Sequence, residues 1–119
     1  MAFTLVREDG ATFTDASAAF AAAGASFSAR VTCPEGALDE VDLVVFDGPR
    51  AVFPVAAQRL ACGNDVSLNG AFRASGATSM RVCLVWGDAT HAIDRARLQD
   101  EGERAAPHAL CKTLRPAPP

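Results

Sequence analysis

Ser26-Phe27-Ser28-Ala29-Arg30-Val31-Thr32-Cys33 alternates polar and apolar residues without a fault. Successive side chains of an extended strand point to opposite faces. A period of two therefore puts Phe27, Ala29, Val31 and Cys33 on one face and Ser26, Ser28, Arg30 and Thr32 on the other. A helix would scatter the same residues around its circumference. The stretch reads as a half-buried β-strand, broken by Pro34-Glu35-Gly36.

The same signal recurs toward both ends. Phe3 and Leu5 alternate with Thr4, and Asp9-Gly10 supplies a tight turn before Ala11 to Thr14, a strong local cue for a hairpin. One helix is expected next: Thr14 or Asp15 as cap, Ala16 to Ala23 as body and Gly24 as stop. So short a helix depends on Phe20 packing against the sheet. Past the central stretch, Val41 to Phe46 is apolar on both parities except at Asp42, the pattern of a central strand covered on both faces. Ala51 to Cys62 is a longer strand, bulged near Ala56 and Ala57 and placed at an edge or bulge by Pro54.

Val66, Leu68, Gly70 and Phe72 share a face of the next strand, and Met80, Val82, Leu84 and Trp86 an inner face of the one after. Gly87-Asp88 fits a two-residue hairpin turn, so Ala89 to Arg95 is expected to return as a strand. The rival is a helix capped by Asp88, with Ala89, Ala92, Ile93 and Ala96 on one face. Residues 99–108 read as a charged loop and Ala109 to Leu114 as a last short strand. The fold class is therefore mainly β: a seven- to eight-stranded antiparallel sandwich or barrel with one short Ala-rich helix. Residues 1–115 form a single β domain, and 116–119 a Pro-rich tail that runs extended along a surface.

Composition excludes more than it assigns. Half the 119 residues are apolar and net charge is −3, a globular balance that excludes wholesale disorder. Residues 1–48 carry two Arg against eight acids, and no block is basic enough for a nucleic-acid footprint. The asymmetry reads as a solvated acidic face, or as head-to-tail complementarity between subunits. No uncharged apolar stretch is long enough for a membrane helix. The start lacks a basic, then apolar, leader, so the chain is expected to be made in the cytoplasm. That compartment in turn predicts that Cys33, Cys62, Cys83 and Cys111 are buried, reduced thiols. None forms a C-x-x-C pair, so the usual zinc and redox spacings are missing.

Chemistry-bearing groups are few. There is no phosphate loop, nucleophile elbow or metalloprotease motif, and no cofactor or metal is expected. Asp88 with His91, or His108 with Cys111, would be the parts of an enzyme. Glu35, Asp39, Glu40, Asp42 and Asp47 form the densest acidic group, read as a solvated strand edge before a Ca²⁺ site. Trp86 is the only Trp. Its parity makes it a core or interface residue, or else, with Asp88, the contact for a sugar or small ligand, with Asn64 and Asn69 as polar partners.

The opening hairpin from Met1-Ala2-Phe3-Thr4-Leu5 to Asp9-Gly10-Ala11-Thr12-Phe13, the ladder Met80-Arg81-Val82-Cys83-Leu84-Val85-Trp86-Gly87-Asp88 and the Pro-rich end together resemble small virion proteins of tailed bacteriophages. The resemblance implies a non-enzymatic subunit of a symmetric assembly: a capsid decoration, neck or tail accessory protein whose partners are itself and other subunits. Candidate contact residues are Phe3, Leu5, Val85, Pro116, Pro118 and Pro119. The alternatives are a soluble binding module built on Trp86 and Asp88, and a small Cys/His-dependent enzyme.

Overall fold

The computed structural model describes residues 1–13 and 20–116. The strands are β1 (Ala2–Arg7), β2 (Thr12–Phe13), β3 (Phe20–Ala21), β4 (Ser26–Thr32), β5 (Gly36–Asp47), β6 (Arg50–Cys62), β7 (Val66–Arg73), β8 (Met80–Trp86) and β9 (His108–Pro116). Helix α1 (Arg95–Glu101) and a 3-10 turn (Gly102–Ala105) lie between β8 and β9.

Alternation sorts the strands into two layers. One sheet has the order β2-β1-β4-β7 and is antiparallel. The other runs β3-β9-β8-β5-β6, antiparallel except for the two-residue β3, which joins β9 in parallel. Phe3 and Leu5 of β1, Phe27 and Val31 of β4 and Phe72 of β7 meet Leu43, Val45, Val82, Leu84 and Leu114 of the second sheet in one core. The expected β-sandwich is what this chain forms. Phe27 and Phe72 are paired across β4 and β7 and stack with ring centroids 5.8 Å apart.

Apolar residues on both parities of β5 require a second cover, and the chain supplies it. Val44, Ala51, Cys83 and Val85 on the outer face of the second sheet are capped by Ile93 and by Leu98 of α1. Leu98 is fully buried. Asp42, on the same outer face, is also fully buried. It accepts two hydrogen bonds from Arg95, both at 2.7 Å, and a third from the Ala57 backbone N–H, also at 2.7 Å. Ala57 has a φ of 54°, in the left-handed region, and interrupts the β5–β6 ladder between Val41↔Gln58 and Leu43↔Val55. The expected bulge thus frees an N–H, which Asp42 satisfies. Arg95 reaches Glu40 as well, at 2.7 Å. One guanidinium at the start of α1 therefore ties the covering segment to β5.

Three local expectations need correction. The Ala-rich helix falls largely on residues 14–19, outside the described residues, and its expected last turn does not form: Phe20 and Ala21 are β3, beside Arg115 and Pro116. Backbone pairing to β9 outweighs the weak propensity of a two-turn helix. The expected strand over 89–95 is absent because Asp88 bends the chain. Its carboxylate accepts from the Thr90 and His91 N–H groups, an Asx turn in place of a hairpin turn. The helix that follows starts later than the rival reading placed it. It is capped by Asp94, which accepts from Arg97 N at 3.1 Å. The predicted loop over 99–108 is regular over most of its length: it holds the end of that helix, the 3-10 turn and, at His108, the start of β9.

Gly70 lets β7 approach β6 closely. A Cβ there would collide with the Pro54 carbonyl oxygen and lie 2.7 Å from Val55. Both obstacles are held, one by backbone and one by the core. Gly70→Ala is expected to cost about 2 kcal/mol in urea unfolding; an unchanged midpoint would show that the strands part freely.

Candidate functional site

The most organised polar surface lies where β8 leaves the sheet. Trp86 ends β8 directly opposite His108, the first residue of β9, because the β8–β9 register pairs them. Their rings stack at 5.6 Å with 12° between planes. Asp88 then closes the arrangement. Its Oδ2 lies 2.8 Å from His108 Nε2, while Oδ1 accepts from Thr90 N, Thr90 Oγ1 and His91 N. Thr90 Oγ1 is also 3.1 Å from His91 Nδ1. Gly87 is required at the bend, since a Cβ would sit 2.8 Å from the His91 carbonyl oxygen. Asp88 and His91, on an irregular loop, are thereby brought together with Trp86 at the end of β8 and His108 at the start of β9.

The hydrogen bond to His108, followed by those from Thr90 and His91, holds the Asp88 carboxyl far below the ordinary carboxylate range. A depressed folded-state pKa adds stability that is complete above the unfolded value, about 3.9, and is lost as the pH falls through the folded one. The thermal midpoint of wild type minus that of Asp88→Asn is therefore expected to be constant from neutral pH to about 4 and to shrink below it. A difference that stays flat to pH 2 would remove this carboxylate from the acid response.

Beside this loop is a shallow concavity of about 440 Å³, with His91, Asp94, Arg97, Arg104 and Pro107 among its lining residues. Arg97 is engaged by Glu101 at 2.7 Å.

A second cluster lies on the outer face of the same sheet. Cys83 and Cys111 are paired across β8 and β9 and joined as a disulfide. Cys33 and Cys62 are joined likewise, and no cysteine is free. The expectation of four reduced thiols is overturned: strand register, invisible in sequence spacing, sets Cys83 opposite Cys111.

The expected site residues are distributed unevenly. Trp86, Asp88, His91 and His108 come together. Cys111 offers no thiolate beside His108, because it is disulfide-bonded. Phe3, Leu5 and Val85 lie in the interior, at 4 %, 0 % and 0 % exposure, so their side chains present no contact surface. Pro116 is part of β9, while Pro118 and Pro119 lie outside the described residues. Glu40 and Asp42 are committed to Arg95, and Asp47 accepts from Thr78 at 2.9 Å. Asn64 is bonded to Thr32, and the Asn69 N–H to Gln58. Sequence reasoning missed Thr90, Glu103 and Arg95. The Asp-x-Thr-His run was a legible Asx-turn signal, but the other two act through partners distant in the chain.

Against protein-family models, curated proteins and solved structures, the chain gives no match. No helix among the described residues is long and apolar enough to cross a membrane.

Proposed function

We propose that this chain is a non-enzymatic structural subunit that acts by protein–protein contact in a symmetric assembly, through the surface built by Trp86, Asp88, His91 and His108. The observation that carries the reading is the Asp88-centred loop. The Asp88 carboxylate accepts from Thr90 N, Thr90 Oγ1 and His91 N and bonds His108 Nε2, and the His108 ring so held stacks on Trp86, so the indole and this imidazole are in place before any partner arrives. Pre-organised aromatic groups flanked by Arg form good contact surfaces because little side-chain freedom remains to be lost on association. The neighbouring Arg104 and Arg97 give the surface a polar rim.

The setting implied by the sequence resemblance is a phage virion, as a decoration, neck or tail accessory protein. Two disulfides favour a particle or secreted protein that works in an oxidising milieu over a resident of the reducing cytoplasm.

Native mass, measured by light scattering on a sizing column over a concentration series, tests the reading. A discrete oligomer is expected, shifting to smaller species in Asp88→Ala and Trp86→Ala. Wild type that remains a monomer at every concentration would refute self-assembly through this surface. The Trp86–His108 stack, with a concavity lined by the chain neighbours His91 and Pro107, also favours a second reading, a binding site for a sugar or other small ligand. Saturable quenching of the single Trp by a ligand, with wild type monomeric, would favour that reading instead.

A further inference from the structure

Glu103 stands in an odd place for a carboxylate. Its Oε2 lies 3.2 Å from Sγ of Cys83, a residue with no exposed surface. A disulfide sulfur has no proton to donate, so in the oxidised chain this contact is not a hydrogen bond. The carboxylate is held there by Arg81, whose Nε donates to the same Oε2 at 2.9 Å while Nη1 donates to Thr113 at 3.1 Å. Arg81 and Thr113 are themselves paired across β8 and β9. The sheet thus places a carboxylate against a cysteine pair, with a guanidinium behind it.

The geometry points to a zinc-class metal site made by Cys83, Cys111 and Glu103 when the disulfide between the two cysteines is reduced. One ligand atom from each lies within 4.8 Å of the other two, and this is the single such group of three among the described residues. Two thiolates on a tetrahedral ion with Zn–S of about 2.3 Å sit roughly 3.7 Å apart. The sulfurs need only separate to that distance from their bonded positions. Charge also balances: two thiolates and a carboxylate carry −3, against +2 from the ion and +1 from Arg81. Arg81 would orient the carboxylate as an outer partner of the site. Thiolate pairs select zinc-like ions over Ca²⁺ or Mg²⁺, and the exposed side of Glu103 is the way in. The Cys33–Cys62 pair belongs to no such cluster.

The redox step is balanced by a thiol or phosphine reductant. With a phosphine, the S–S bond breaks, two S–H bonds form with hydrogens from water, and the phosphine takes the oxygen to become its oxide. Zinc then forms two Zn–S bonds and one Zn–O bond, and the two thiol protons pass to solvent. Three protein ligands leave a fourth position for water.

The test is zinc competition against a chromophoric chelator, on the full chain reduced anaerobically with a water-soluble phosphine. One zinc per chain is expected in the reduced form and none in the oxidised form. Cobalt in place of zinc should give thiolate charge-transfer absorption, lost in Cys83→Ser. Glu103→Gln, a surface change that leaves both disulfides able to form, is expected to weaken zinc binding at least about tenfold. The Cys33→Ala/Cys62→Ala variant should keep the site. A reduced wild-type chain that takes up no zinc, folded or not, overturns the assignment. So does uptake that survives Cys83→Ser, or that Glu103→Gln leaves unchanged.

Discussion

Arg95→Ala is expected to lower unfolding stability by about 3–4 kcal/mol, and by more than Asp42→Ala does. The asymmetry follows from burial. Asp42 is completely buried, whereas the Arg95 side chain is 37 % exposed. Removing Arg95 strands a charge under α1 with one remaining partner, the Ala57 N–H. Removing Asp42 leaves a guanidinium that still reaches Glu40 and water. Loss of a buried partner typically costs 3–5 kcal/mol, and the half-solvated Arg95 end places this case at the lower side. Arg95→Lys should rescue little, because a single ammonium cannot repeat two parallel bonds to one carboxylate. Asp42→Asn introduced into Arg95→Ala should recover part of the loss. Urea midpoints at constant slope measure all four variants. If Asp42→Ala were the more damaging change, the pair would not be what fastens the cover to β5.

Reduction of the two disulfides should have a larger effect, each link costing about as much as Arg95→Ala, and it acts through the unfolded chain. Their sequence separations are 29 and 28, and the loops 33–62 and 83–111 do not overlap. Each link therefore restricts a separate part of the denatured ensemble. Loops of this size correspond to about 3.5 kcal/mol each in the chain-entropy model. Fully reduced protein is expected to lose roughly 7 kcal/mol, about half or more of the stability of an ordinary domain. Denaturation with and without a phosphine reductant measures the sum, and Cys33→Ala/Cys62→Ala isolates one link. A loss near 3 kcal/mol for full reduction would mean that one link constrains nothing the native contacts do not. Zinc added to the reduced chain should return part of the lost stability only if Glu103 is intact, which ties this measurement to the proposed metal site.

These two effects describe how a chain with few large side chains keeps one shape. The second sheet packs against the first on one face and under a seven-residue helix on the other, giving two cores. The helix is too short to stand alone, so the Asp42–Arg95 ion pair and the buried Leu98 hold it. Fastening the segment 87–107 in this way also fixes the Asp88 loop. The surface proposed for contact therefore rests on the same elements that complete the second core.

The sequence by itself determined which strand faces point inward. Alternation in Ser26–Cys33 and Met80–Trp86 assigned inward and outward faces correctly, since the side-chain period of a strand is a local property of the backbone. Asp9-Gly10 marked the first hairpin and Pro54 an edge or bulged strand, each through a local conformational limit, and the bulge expected near Ala56-Ala57 falls at Ala57. Apolar residues on both parities of Val41–Phe46 announced a second cover without naming it. Tertiary structure alone decided what that cover is, because Arg95 and Asp42 are fifty-three positions apart and meet only after β5 and α1 are docked. It likewise decided the state of the cysteines and the company of Trp86. Cys83–Cys111 and Trp86–His108 are cross-strand neighbours, and their pairing depends on a β8–β9 register set by the intervening loop and helix. Local propensity carries no record of which strand lies beside which, so no spacing rule within the chain could supply those partners.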